Sequence, residues 1–144
     1  MPKKQQNERA FQTWIKSAWG DFLSQIHPGL SCDEGVPDLL LLTPSGLMPA
    51  EIKVGLIEGQ TLWTEKIRPS QVAWHRRLAD AGGSSFFITG VWADGNWRAF
   101  AFNGAIADQW ETTGFKIGDT EAIELDTTDF YTSIADFLFR NLDV

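Results

Sequence analysis

The sequence predicts a single α/β domain over residues 1 to 144, on three observations. Four consecutive leucines within the run Val36 to Thr43 have the composition of a buried strand. Three segments carry apolar residues at helical spacing, one at each end of the chain and one near its middle. Between them lie short β-type runs punctuated by Gly, Pro, Asp and Asn, so that strands and helices alternate.

The first helix is expected from about Gln5 to Leu23, where Phe11, Trp14, Ile15, Ala18, Trp19 and Phe22 recur on one stripe. Glu8 lies one turn before Phe11 on that stripe. It either favours the helix dipole from the first turn or faces a functional site. Ile26 to Ser31 has room for a short strand, and Val36 to Thr43 is expected to be central in the sheet and buried on both faces. The turn residues Thr43, Pro44, Ser45 and Gly46 let Leu47 to Val54 return antiparallel beside it. In that run Ala50, Ile52 and Val54 share one face. Glu51 and Lys53 share the other with Pro49, whose missing N–H predicts a distortion or locally unpaired backbone.

Gly55 to Arg68 reads as a long irregular connection, a flap near the site, holding Leu56, Ile57, Leu62 and Trp63 among Gly and polar residues. A second helix is expected from Pro69, with Ile67 and Val72 placed as a hydrophobic staple and Gly82 and Gly83 at its C-cap. Gln71, Trp74, His75 and Leu78 fall on one of its faces; Ala73, Arg76, Arg77 and Asp80 fall on the opposite one. Ser84 to Trp92 and Trp97 to Phe102 are expected to pair through a hairpin at Ala93, Asp94, Gly95 and Asn96. Signals weaken from Asn103 to Asp126, apart from a short strand around Glu121 to Leu125. Helical period returns from Thr128 to Leu142.

A chain of 144 residues buries roughly 68 to 70% of its unfolded surface on folding, so no metal or disulfide is needed for stability. The lone Cys32, with seven Trp and ten Phe, fits a reduced compartment and an aromatic-rich core. The start MPKKQQNERA has no following apolar region, and nowhere do about 18 apolar residues run together; a cytoplasmic protein without a membrane partner is expected. The formal net charge of -7 opposes a nucleic-acid partner at first sight. Residues 1 to 82, however, hold nine Lys and Arg against nine Asp and Glu, whereas 83 to 144 hold three against ten. A binding face in the first part is therefore compatible with DNA.

The chemistry concentrates between Gly35 and Lys53. Asp38 precedes the leucine run, and Glu51 and Lys53 follow the turn, so two tightly joined strands bring the three side chains together. Hydrolysis of a phosphodiester needs an activated water and charge relief on the phosphoryl oxygens, which Mg²⁺ or Mn²⁺ held by carboxylates supplies. Asp38 and Glu51 suit that cation, with the backbone carbonyl of Ile52 as a further ligand. Lys53 either orients or deprotonates the water, or stabilises the charged transition state. The plain alternative is a turn cap at Asp38 and an ordinary Glu51–Lys53 ion pair, which is costly to bury.

GVPD at 35 to 38, EIK at 51 to 53 and RPSQVAWHRRLADAG at 68 to 82 resemble the PD-(D/E)xK nuclease superfamily, especially its small VRR-NUC and Holliday-junction-resolvase-like branch. The resemblance covers about residues 5 to 92, the expected core, and leaves an acidic C-terminal extension over about 103 to 144 outside it. It implies a restriction-endonuclease-like core, a mixed central β-sheet flanked by helices. It also implies that Asp38 and Glu51 are metal ligands, Lys53 the catalytic lysine, Glu8 an additional acid and metal ligand, and Gln71 a residue beside the site. A homodimer is implied as well. The length of the 55 to 68 connection, Pro49 and the acidic extension depart from the pattern; the extension is expected to cover a sheet edge, mediate dimerisation or bind a partner.

The expected function is a Mg²⁺-dependent DNA endonuclease acting on branched, flap or junction DNA, a repair or recombination activity. The alternative is a non-catalytic nucleic-acid or protein-binding module of the same fold. Lys66, Arg68, Arg76 and Arg77 form the only local basic cluster and are candidates for the DNA backbone, with Trp63 a candidate for stacking on a base. Two histidines, His27 and His75, are too few for a His-rich metal site and read as structural or surface residues.

Overall fold

The side chain of Asn7 accepts a hydrogen bond from the Ala10 N–H at 2.9 Å and so starts the first helix, α1, Glu8–Trp19. The structure, a computed structural model, describes residues 7–20, 23–25, 37, 39–118 and 121–141. The strands β1 (Leu23–Gln25), β2 (Leu39–Thr43), β3 (Gly46–Glu58) and β4 (Thr61–Thr64) follow α1. Helix α2 (Pro69–Asp80), strands β5 (Phe86–Ala93) and β6 (Asn96–Asn103), and a 3-10 segment, Gly104–Glu111, come next. The chain continues through β7 (Phe115–Lys116), β8 (Ile123–Leu125) and α3 (Phe130–Asn141).

The sheet runs β1-β2-β3-β5-β6-β8, with β4 bridging β3 to β7. β3 and β5 are parallel, from Ala50 opposite Phe86 to Gly55 opposite Val91, and the other strand pairs are antiparallel. The sheet is thus mixed, and helices flank it. On one face Phe11, Ile15 and Trp19 of α1 and Phe130, Ile134 and Phe137 of α3 pack on Leu39, Ala50, Ile52 and Ile88. On the other, Leu62, Phe87, Phe100, Phe102 and Phe115 form a second core with Ile67 and Val72 at the start of α2. Among the described residues no helix is long and apolar enough to cross a membrane.

Several expectations change. The first helix ends at Trp19, and the short strand nearby is Leu23–Gln25; the strand expected over Ile26 to Ser31, like Cys32, lies outside the described residues. The leucine strand is neither central nor buried on both faces. β2 lies second in the strand order, with Leu41 fully buried and Leu42 47% exposed, because α1 and α3 cover one face and α2 packs farther along the sheet. The largest correction concerns Gly55 to Arg68. β3 continues to Glu58, and a turn at Gly59 and Gln60, with Gly59 at φ +61°, returns the chain as β4. Gly55 marks a close crossing: a Cβ there would collide with the Trp63 carbonyl oxygen.

Pro49 causes no break. The two-residue turn sets Thr43 opposite Gly46, so Gly46, Met48 and Ala50 exchange hydrogen bonds with β2 while Leu47 and Pro49 point their backbone groups to the other edge. Pairing with β5 begins at Ala50, one residue later. The missing N–H therefore removes no ladder bond. In the acidic C-terminal part, β8 pairs along β6 and α3 packs into the first core.

Candidate active site

Alternation along β3 turns Ala50 and Ile52 to the α1 side and Glu51 and Lys53 to the α2 side, where they are 4% and 7% exposed. Two charged groups so deeply placed need specific partners. Gln71, three residues after the N-cap of α2, supplies one of them. Its Oε1 accepts from the Arg68 N–H at 2.9 Å, which caps the helix, and its Nε2 donates to Glu51 Oε2 at 3.1 Å. One side chain thereby ties the helix start to the strand carboxylate. Lys53 Nζ donates to the Lys66 carbonyl at 3.1 Å, in the segment that leads into α2.

One turn beyond Gln71, His75 is completely buried behind Glu51. Its Nε2 lies 3.7 Å from Glu51 Oε1, and its Nδ1 is 2.5 Å from Ser85 Oγ. The ring also packs on Phe87, the residue opposite Glu51 in the parallel pair, at 4.6 Å between centroids. Opposite Lys53 in that pair is Thr89, whose fully buried hydroxyl has no hydrogen-bond partner among the described residues.

Glu8 approaches from the opposite layer, at the N-terminus of α1. Its carboxyl is pushed up from 4.5 to about 7, first by burial; Lys53 opposes the rise, and Glu65, by charge and by a hydrogen bond, and Glu51 add to it. Glu8 of α1 thus feels Glu51 and Lys53 of β3 and Glu65 from the segment after β4.

The β3 backbone has an opening at the same level. β2 pairs with β3 up to Ala50, and β4 pairs along the same edge only from Gly55, after the Glu65 N–H has bonded the Val54 carbonyl at 2.8 Å. By the alternation that points Ala50 and Val54 to this edge, the Ile52 carbonyl points there too, into the interval that neither strand fills. Two further steps of the β2 register would reach Pro37, which has no N–H to give.

Among the predicted residues, the structure brings together Glu51, Lys53, Gln71 and Glu8. Asp38 lies outside the described residues; Leu39, next in the chain, is paired with Ala50. Among the described residues no group of three or more His, Cys, Asp or Glu side chains is arranged to hold a metal ion. Lys66, Arg68, Arg76 and Arg77 are exposed along the start and outer face of α2, and Trp63 is half-buried on β4. Arg76 pairs with Asp108 at 3.2 Å, and both line an open groove of about 760 Å³ with Lys66, Trp110 and Glu111. The surroundings of the basic cluster are therefore of mixed charge.

Sequence reasoning missed His75, Ser85, Thr89 and Glu65. The four-residue spacing of Gln71 and His75 was the available signal for the histidine, and the irregular reading of 55 to 68 hid Glu65. No protein-family model matches this chain, and a search of curated proteins returns no match.

Proposed function

We propose that this chain is a divalent-metal-dependent DNA endonuclease that hydrolyses phosphodiester bonds in branched, flap or junction DNA, acting as a cytoplasmic homodimer. The observation that carries the reading is the pair Glu51 and Lys53. Both are buried on one strand face, yet each is held by its own partner, the Gln71 amide and the Lys66 carbonyl. That arrangement fixes an acidic and a basic side chain on one buried strand face, which serves chemistry better than stability.

The donor chemistry fits a hard cation. Glu51 and Glu8 offer carboxylate oxygens and Ile52 a carbonyl directed into the strand opening, oxygen donors of the kind a hard cation takes. Asp38, Glu51, the Ile52 carbonyl and Glu8 would hold Mg²⁺ or Mn²⁺, which when bound supplies charge relief at the phosphoryl oxygens. Gln71 holds the Glu51 carboxylate in one orientation. Lys53, anchored by a backbone carbonyl, orients or deprotonates the attacking water or stabilises the charge that develops on the phosphate. In this reading the exposed Lys66, Arg68, Arg76 and Arg77 contact the DNA backbone, with Trp63 stacking on an unpaired base.

The test is a panel of labelled duplex, flap, junction and single-stranded DNAs incubated with purified protein and Mg²⁺ or Mn²⁺. Cleavage of a structured DNA that is lost in Asp38→Ala and Lys53→Ala, with folding kept, supports the reading. No cleavage of any substrate transfers the case to a non-catalytic nucleic-acid or protein-binding module.

A further inference from the structure

We infer that His75 is a positioning residue for Glu51, acting from behind the carboxylate as the second of two donors that α2 directs at it; the inference rests on the proposed role of Glu51 as a metal ligand. Gln71 and His75 stand four residues apart, one helical turn, and face the two oxygens of one carboxylate. The amide of Gln71 reaches Oε2 at 3.1 Å, and the imidazole Nε2 of His75 stands 3.7 Å from Oε1.

Three features separate this from ordinary core packing. The ring is fully buried, and its Nε2, which has no hydrogen-bond partner among the described residues, stands 3.7 Å from the Glu51 oxygen. The other nitrogen is fixed by Ser85 Oγ at 2.5 Å; when that hydroxyl donates to Nδ1, the ring proton resides on Nε2, the nitrogen 3.7 Å from Glu51 Oε1. The wall behind the ring has no slack, since a Cβ on Gly104 would collide with Ser85 Oγ and stand 2.7 Å from Nδ1. Ser85 and Gly104 are themselves joined by the Gly104 N–H to Ser85 carbonyl bond at 2.9 Å. The sequence thus sets a rigid stop behind a donor that faces the carboxylate, the usual way to hold a ligand's direction.

The test separates the two ends of the imidazole. His75→Gln places an amide nitrogen near the position of Nε2, whereas His75→Asn places one near Nδ1 and leaves the Glu51 side without a donor. Calorimetric titration of the full chain with Mn²⁺ alone, thermal melting and crystal structures of both variants are the readouts. His75→Asn is expected to weaken Mn²⁺ binding by about 10- to 100-fold and to turn the Glu51 carboxylate, while His75→Gln restores affinity to within about threefold of the parent. Ser85→Ala, which frees the ring without removing it, is expected to fall between them. Equal affinities and an unmoved Glu51 in folded His75→Asn overturn the inference; if His75→Asn does not fold, parental affinity and an unmoved Glu51 in Ser85→Ala do so. A parent protein that binds no Mn²⁺ overturns the metal-dependent reading instead, and the position of Glu51 in the variant crystals still decides whether His75 sets it.

Discussion

Gly104→Ala puts one methyl group against the back of the candidate site, and opposing terms of known size set its effect. Away from crowding, replacing Gly by Ala stabilises by about 0.4–1 kcal/mol, because the unfolded chain loses freedom. Here the new Cβ would meet Ser85 Oγ within contact distance, His75 Nδ1 at 2.7 Å and His75 Cγ at 3.2 Å. Overpacking of a filled site costs about 1–3 kcal/mol, and parting Ser85 from His75 about 0.5–1.5 more. The net is a destabilisation of about 0.5–4 kcal/mol, or a fall in Tm of roughly 2–12 °C for a domain near this size. Urea and thermal unfolding measure it. In a Ser85→Ala background the same change should cost less than half as much, since the nearest atom has gone. A Gly104→Ala protein as stable as the parent would refute the close packing of Ser85, His75 and Gly104 on which the positioning of Glu51 depends.

Three other outcomes are expected. The raised proton affinity of Glu8 gives a stability contribution that is full below about pH 4.5, where the unfolded chain is also protonated, and is lost as pH rises through about 7. Partial exposure screens it to about 1 kcal/mol, and Glu8→Gln should flatten that part of the pH–stability curve; an unchanged slope in the variant counts against the burial of this carboxyl. Gly55→Ala should cost about 3 kcal/mol or more, because the atoms in the way, the Trp63 carbonyl oxygen and Thr64 Cα, are backbone and cannot turn aside. Chemical denaturation that shows a loss under 1 kcal/mol would mean that β3 and β4 do not cross so closely. Lys53→Ala should reduce cleavage of a structured DNA by about 10²- to 10⁴-fold while the circular-dichroism spectrum stays that of the parent; comparable rates would remove Lys53 from the chemistry.

Local patterns that obey one rule were legible in the sequence. Alternation along Ala50 to Val54 gave the side on which Glu51 and Lys53 lie, and Pro69 with Gly82 and Gly83 bounded α2, whose Gly83 N–H bonds the Leu78 carbonyl at 2.9 Å. Asp94 and Gly95, at φ +53° and +79°, adopt the turn their identities call for. What the sequence concealed depended on distant partners. Four leucines do not say how many faces will be covered, because that is decided by where α2 packs. Gly55 reads as loop punctuation until a crossing strand shows that it is the only residue that fits. A histidine on a core-facing stripe looks like filler until Glu51, from β3 before it in sequence, and Ser85, just ahead of β5 after it, arrive beside it.

The parallel pairing of β3 with β5 has a kinetic consequence. β2, β3 and β4 form a meander whose registers join residues near in sequence, and such contacts close quickly. Ala50 can meet Phe86 only after the intervening chain, α2 included, has folded back across the sheet, which carries a larger loop-closure entropy. A chain still emerging from the ribosome can therefore hold Glu51 and Lys53 in a formed hairpin without Gln71, His75 or Ser85 around them. The framework around Glu51 and Lys53 and the closure of the sheet thus depend on the same long-range pairing, so a half-folded chain carries the two charged groups without the side chains that orient them.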